Sequence, residues 1–305
     1  MRVLMTGGAG FIGTAVAYKF ISSYGGDLLI LDKINYAGQL NTLSRLAKNP
    51  RFFFERADIC DRNAVREALI KFKPNVVLHL AAETHVDRSI ENPAVFIQTN
   101  IVGAFTMLDE SLRYWREIST AHRDRFRFIH VSTDEVFGSL EAEGLFCEDT
   151  PYAPNSPYAA SKASADHLAR AWGKTYGLPT IVTNCSNNYG PRQHPEKLIP
   201  LMILSALEEA PLPVYGTGEH IRDWLFVNDH AEALLRIATH GAPGETYIVG
   251  GAQRDAQYRR CQTDLRHHAG NRAPLRWALS RFDRVCGGSA WPRRALRNRL
   301  QQDRT

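Results

Sequence analysis

Cysteine is scarce and scattered in this chain of 305 residues: Cys60, Cys147, Cys185, Cys261 and Cys286 lie far apart, with no Cys-x-x-Cys pair and no His-Glu-x-x-His helix. That argues against a disulfide framework and a structural zinc, leaves no candidate metal ligands, and fits a reducing cytoplasm. Long apolar runs are missing as well. The opening Met1-Arg2-Val3-Leu4-Met5-Thr6-Gly7 is too short for a signal peptide, and no later stretch approaches the roughly 20 apolar residues of a membrane span. A soluble protein with no membrane partner is expected.

Lysine and glutamate are absent from residues 252–305, where 13 Arg face four Asp, a net of +9. The whole chain has 37 basic and 32 acidic residues, so residues 1–251 hold 24 and 28, a net of −4. A pI near 9.0 would ordinarily raise the question of nucleic acid. Here the basicity belongs to the tail alone, and no nucleic-acid partner is expected.

Apolar content of 44% suffices for one large core or two modest ones. Short apolar runs at Arg2–Met5, Leu28–Leu31, Phe52–Phe54, Val76–Leu80, Phe126–Val131 and Thr180–Thr183 read as buried strands, with helical patterns between them. After Asn92-Pro93, a capping residue and a first-turn proline, Phe96, Ile97, Ile101, Phe105 and Leu108 fall on one predicted helix face. Such alternation predicts an α/β protein with a doubly wound parallel sheet. From Ser186 the texture changes to Asn-, Pro- and Gly-rich loops, the apolar helix Leu198–Leu207, and short strands near Leu212–Tyr215 and Trp224–Val227, a smaller substrate-binding lobe.

Gly7, Gly8, Gly10 and Gly13 follow the first strand and open the first helix, where glycine lets backbone N–H groups approach a pyrophosphate. Asp32 lies 19 residues after Gly13, placed for adenosine ribose hydroxyls. Its carboxylate repels a 2′-phosphate, so NAD is favoured over NADP, and neighbouring Lys33 works against that preference. Asp58-Ile59 would receive the adenine, the alternative for Asp58 being a turn cap. Tyr158 and Lys162, four apart, share a helix face, and a phenol of pKa about 10 needs such a cation to act as a base near neutrality. Ser132-Thr133-Asp134-Glu135 closes the fifth strand at the sheet's carboxyl edge, where neighbouring carboxylates can serve as acid and base or form a solvated turn. His79 and His85 are not at metal-ligand spacing and read as packing or hydrogen-bonding residues.

Together with His79–Ser89, Val136-Phe137-Gly138, Asn184–Pro191 and Ile221-Arg222-Asp223-Trp224, these blocks resemble the dTDP-glucose 4,6-dehydratases of the extended short-chain dehydrogenase superfamily over some four-fifths of the chain. The resemblance implies a Rossmann domain at 1–185, with 222–250 returning to it, and a substrate lobe at 186–221. It implies a homodimer in the cytoplasm that takes dTDP-glucose to its 4-keto-6-deoxy product, for deoxysugar synthesis of the dTDP-rhamnose type and cell-surface polysaccharide such as O-antigen.

By resemblance, Tyr158 and Lys162 serve oxidation at C4 with Thr133 on the C4 oxygen, and Glu135 and Asp134 serve elimination as base and acid. NAD would meet Gly7, Gly10, Phe11, Ile12, Gly13, Asp32, Lys33, Ile34, Asn35, Asp58, Ile59, Leu80, Ala81, Ala82, Thr99, Tyr158, Lys162 and Asn188. The nucleotide sugar would meet Thr84, Thr133, Asn187, Lys197, Leu198, Pro213, Val214, Tyr215 and Arg222, with Lys197 and Arg222 suited to the diphosphate. An inactive NAD-binding remnant and another nucleotide-sugar dehydratase or epimerase are the other readings.

The resemblance stops at Gly251, and residues 252–305 read as an aberrant tail translated in a shifted frame in place of the rest of the lobe. Back-translated with permitted codons and read one base on, Leu279–Arg284 can give Tyr-Arg-Asp-Leu-Ile. Cys286–Thr305 can likewise give Val-Ala-Asp-Arg-Pro-Gly-His-Asp-Ala-Arg-Tyr-Ala-Ile-Asp-Cys-Ser-Lys-Ile-Glu. Both resemble the family's C-terminal region, whose Arg and His-Asp-x-Arg-Tyr groups would help to close the site; the alternative is a divergent basic tail. Sequencing the coding DNA around Gly251 is expected to reveal an intact alternative frame, and its absence sinks the shifted-frame reading.

Overall fold

The computed structural model describes residues 1–35, 38, 40–139, 144–212, 221–251 and 254–256. Its strands are β1 (Arg2–Thr6), β2 (Asp27–Asp32), β3 (Phe52–Arg56), β4 (Val76–His79), β5 (Arg127–Thr133), β6 (Thr180–Cys185), β7 (Asn187–Tyr189), β8 (Ile221–Phe226), β9 (Thr246–Val249) and β10 (Arg254–Ala256). Its helices are α1 (Phe11–Ser23), α2 (Arg62–Phe72), α3 (Val86–Glu91), α4 (Pro93–Phe96), α5 (Ala104–Glu117), α6 (Thr120–Arg123), α7 (Pro157–Tyr176), α8 (Leu198–Leu207) and α9 (Val227–His240).

Seven strands form a parallel sheet in the order β3-β2-β1-β4-β5-β6-β9. Successive strand residues point to opposite faces, and both faces are apolar. Val3 and Met5 of β1 join Leu28, Ile30, Val76, Leu78 and Ile129 in a core with α1 and α9. Leu4, between them in sequence, joins Leu29, Val77 and Phe128 in the core under α2, α5 and α7. Phe20 and Phe128, wholly buried, each contribute about 1.5–3 kcal/mol relative to exposure. The strand order reverses direction between β1 and β4, which opens a crevice at the carboxyl ends of those strands, the place where doubly wound sheets bind ligands.

The chain divides into two compact units, the first comprising Met1–Arg192 and Leu225–Gly250, the second Gln193–Trp224 and the described residues from Gly251 on. In the second unit α8 buries Ile199, Met202 and Ala206, and β10 pairs antiparallel with the start of β8, where the Asp223 carboxylate accepts the Gly251 N–H at 2.8 Å. The expected strand at Trp224–Val227 is instead Ile221–Phe226, and Val227 opens α9, where its side chain is buried as helical packing requires.

The helical run after Pro93 also departs from expectation. Asn92 occupies the cap position, but its side chain makes no capping hydrogen bond. A π-helical segment, Ile97–Gly103, then separates α4 from α5. Its wider turn rotates the buried face, so Ile97 and Phe105 are exposed while Thr99, Asn100 and Gly103 are turned inward. Only Phe96 and Leu108 of the expected stripe are fully buried.

Asn100 shows what the bulge achieves. Its Oδ1 accepts the Glu83 N–H at 2.8 Å, and its Nδ2 donates to Glu83 O at 3.0 Å and to Ser161 Oγ at 2.8 Å. Ser161 in turn donates to Tyr158 O at 2.7 Å, which ties the loop after β4 to α7. Asn100→Ala strands these buried partners and should cost about 2–3 kcal/mol, because unsatisfied buried groups cost about 1–3 kcal/mol. Urea denaturation checks this. A midpoint unchanged at the same slope shows that the tie does not hold the loop.

Candidate active site

The glycine-rich turn is held by close backbone approach. Gly7 has φ +70°, and a Cβ there would meet Ala81 Cα and N at 2.7 Å. At Gly13 a Cβ would meet Gly7 O. Gly10 caps α1, whose first turn has neither a side-chain cap bond nor an acidic residue. Unopposed N–H groups at a helix start favour an anion, and Phe11 and Ile12 stand half-buried at that start.

Asp32 ends β2 with its carboxylate accepting from Ala9 N at 3.0 Å and Ile34 N at 2.8 Å. Ile34 has φ +54°, a conformation that costs a β-branched residue about 1–3 kcal/mol. The Asp32 bond fixes this strained turn at the end of β2. Lys33 extends between two carboxylates, 3.7 Å from Asp58 and 3.6 Å from Glu83, and donates to Thr99 Oγ1 at 3.4 Å. Its charge is thus engaged by acids. Asn35 Nδ2 donates to Glu83 Oε1 at 3.0 Å. Asp58 accepts the Cys60 N–H at 2.9 Å, a turn cap, while leaving a partly exposed carboxylate, and Ile59 is buried. Leu80 N donates to Thr6 O at 3.2 Å and Ala81 N to Thr6 Oγ1 at 3.2 Å, so Leu80–Ala82 runs alongside the glycine turn.

The expected catalytic groups meet where β5 ends against α7. Thr133 caps the short 3-10 turn Asp134–Phe137, accepting the Glu135 N–H and donating to Asp134 Oδ1, both at 3.3 Å. The Tyr158 ring packs edge-on to Phe96. Burial, then Glu135, pushes the Tyr158 phenol well above its ordinary value, and Thr133 only partly opposes this. Lys162, a turn further along α7, donates from Nζ to Val131 O at 2.8 Å, and its own burial pulls the ammonium toward losing its proton. Burial also pushes the Cys185 thiol up to about 12, so it stays neutral and is no nucleophile.

Asn188 is held by His230, whose Nδ1 is 2.9 Å from its Oδ1, while its Nδ2 donates to Ser186 O at 2.9 Å. Asn187 is half-buried in β7 and Thr84 exposed beyond β4. In the second unit, Lys197 caps α8 ahead of Leu198, and Arg222 lies in β8; Pro213, Val214 and Tyr215 fall outside the described residues. His79 Nδ1 hydrogen-bonds Thr6 Oγ1, 2.7 Å away, and His85 accepts the Arg88 N–H at the start of α3. Sequence reasoning missed Asn100, His130, Asp166 and Asn184, polar residues at inward positions of helices and strands that otherwise bury apolar side chains.

A phosphate-ready turn, a carboxylate at the end of β2 and a buried Tyr-Lys pair define a nicotinamide-dependent enzyme of the short-chain dehydrogenase type. The family described as GDP-mannose 4,6 dehydratase matches residues 4–268. A dTDP-glucose 4,6-dehydratase of Neisseria gonorrhoeae is 57% identical over 251 residues, 82% of this chain and 72% of the relative. The dTDP-glucose 4,6-dehydratase DesIV of Streptomyces venezuelae, crystallised with NAD, superposes with a TM-score of 0.81 at 39% identity, over 87% of this chain and 80% of that one. A Thermus thermophilus UDP-glucose 4-epimerase, also with NAD, gives 0.73 at 27% identity, over 95% and 84%. The chain belongs to the dTDP-glucose 4,6-dehydratases.

Because Asp32 is fixed by two backbone N–H groups and Lys33 is engaged by acids, titration of the purified protein should give tighter binding of NAD than of NADP. Equal or tighter NADP binding would mean that a cation outweighs the carboxylate.

Proposed function

We infer that this chain carries out the 4,6-dehydration of dTDP-glucose to dTDP-4-keto-6-deoxyglucose, a carbon-oxygen lyase reaction. The supporting observation is the acid pair Asp134-Glu135 placed by Thr133 beside the Tyr158 phenol at the carboxyl edge of the sheet. NAD, when bound on the glycine turn, supplies a hydride acceptor that is regenerated within the cycle. Tyr158 takes the proton of the C4 hydroxyl, Thr133 hydrogen-bonds that oxygen, and Lys162 supplies the cation that a buried phenolate requires. The C4 ketone acidifies C5–H. Glu135 removes the C5 proton, Asp134 protonates the departing C6 hydroxyl, and water leaves.

Lys197 and Arg222 are the cations suited to the diphosphate oxygens of the substrate. The product fits deoxysugar synthesis of the dTDP-rhamnose type. Exposed Ile97, Val102, Phe105 and Tyr176 on the outer surface of the helical layer support a homodimer, since an apolar patch of this kind marks an interface. The free thiols Cys60, Cys147 and Cys185 fit a reducing cytoplasm, and among the described residues no helix is long and apolar enough to cross a membrane. The Arg-rich run of residues 252–305 favours one second reading, an NAD-binding protein without turnover.

With the tail restored in frame, conversion of dTDP-glucose to its 4-keto-6-deoxy product is expected. Tyr158→Phe should abolish both product and the absorbance of reduced nicotinamide. Asp134→Asn with Glu135→Gln should permit oxidation but stall elimination, each lost group costing about 10²–10⁴ in rate. Reduced nicotinamide then accumulates in a single turnover. Parental product release by the double variant would show that these carboxylates are not the elimination pair.

A further inference from the structure

Tyr158, Lys162 and Asp166 follow one another at intervals of four on α7, so they share a helix face a turn apart. All three are buried, Asp166 completely. Two successive turns of this helix meet two successive residues of β5: Asp166 Oδ1 lies 3.1 Å from His130 Nε2, and Lys162 Nζ donates to Val131 O at 2.8 Å. The other carboxylate oxygen of Asp166 accepts from the Tyr152 hydroxyl at 2.7 Å and from Asn184 Nδ2 at 3.1 Å. That same Asn184 amide donates to Thr133 O at 3.1 Å. A single buried carboxylate on the helix that carries Tyr158 and Lys162 is therefore tied, through Asn184, to Thr133 at the strand end that leads into Asp134 and Glu135.

The charge balance singles out the same residue. Besides Asp166 and the phenol of Tyr158 on its own helix, Lys162 faces His130 from β5, His79 from β4 and Cys185 from β6. Burial holds both imidazoles below their ordinary values and the thiol above its own, so these three are neutral at neutral pH. Arg170, a turn beyond Asp166, donates to the Tyr152 hydroxyl at 2.8 Å. The pairing with His130 and the charge on Lys162 hold the Asp166 carboxyl ionised in spite of its burial. An ammonium this deep persists only with a compensating anion, and Asp166, one turn along α7, is the carboxylate whose charge favours the ammonium against its burial.

We propose that Asp166 is a positioning residue for the reaction, the counter-charge that keeps Lys162 an ammonium and the anchor that, through His130 and Asn184, sets the Thr133 end of β5 against α7. This rests on the reading of Lys162 as the cation serving Tyr158, but its test needs no turnover, so a failed dehydratase assay and a failed titration remain separate results.

The experiment is a pH titration of the full chain labelled with [15N]lysine, following the Nζ signal that disappears in Lys162→Met. In the unchanged chain that signal should be an ammonium at about pH 7.5, and Asp166→Asn should move its deprotonation down by ~1 unit or more, the scale of a lost opposite charge nearby. Tyr152→Phe removes a hydrogen bond from the same carboxylate without altering its charge, so it should lower the melting temperature and leave the Lys162 midpoint in place. A neutral Lys162 amine in the unchanged chain overturns the proposal without recourse to any variant that fails to fold. So does an unmoved midpoint in folded Asp166→Asn, or an equal shift in Tyr152→Phe.

Discussion

The site depends first on how closely two backbone segments approach at the point where the sheet reverses direction. Gly7 lies against Ala81 at a distance that no side chain could occupy, and Thr6 Oγ1 spans the gap by accepting the Ala81 N–H and hydrogen-bonding His79. β1 and β4 are adjacent in the sheet, yet some 70 residues separate them in sequence, so this contact closes the crevice from two distant parts of the chain. Once it is made, the first turn of α1 faces outward with its N–H groups open, and the segment Leu80–Glu83 is fixed along the rim. The Asn100 amide then fastens that segment to α7. The cofactor turn and the catalytic helix are thus joined by a short chain of backbone approaches and buried hydrogen bonds.

Burial sets the chemistry of what is joined. Removing Tyr158 and Lys162 from water disfavours the ionised form of both, raising the phenol and lowering the ammonium. A buried phenolate and a buried ammonium would each offset the other's cost of burial, so the two ionisations favour one another. The thiol and imidazoles around the pair stay neutral for the same reason, which keeps the local field simple.

Much of this was legible in the chain itself. The alternation of short apolar runs with helical stretches gave the parallel sheet because strands covered on both faces need apolar residues at every position, as in Leu28–Leu31. The glycine turn, Asp32, and the Tyr-Lys and Thr-Asp-Glu blocks are local patterns whose spacing carries their geometry. The helix after Pro93 was misread because its period assumes an unbroken α-helix, and the inserted π turn rotated Ile97 and Phe105 outward while bringing Asn100 in. Lys33 was ambiguous for a related reason: a lysine beside a ribose-binding acid attracts a phosphate or pairs with other acids, and only the placement of Asp58 and Glu83 distinguishes the two.

The residues that remained hidden share one physical property. His130, Asp166 and Asn184 act on one another across β5, β6 and α7, and none makes a pattern with its sequence neighbours. In one dimension each is a polar interruption in an apolar stripe. In the fold the interruptions coincide, because burying a polar group costs less where others bring hydrogen bonds or charge to it. A polar residue at an inward-facing position, such as Asp166 one turn after Lys162, is therefore itself a sequence signal that a partner waits on a neighbouring element, although which one only the packing of strand against helix decides.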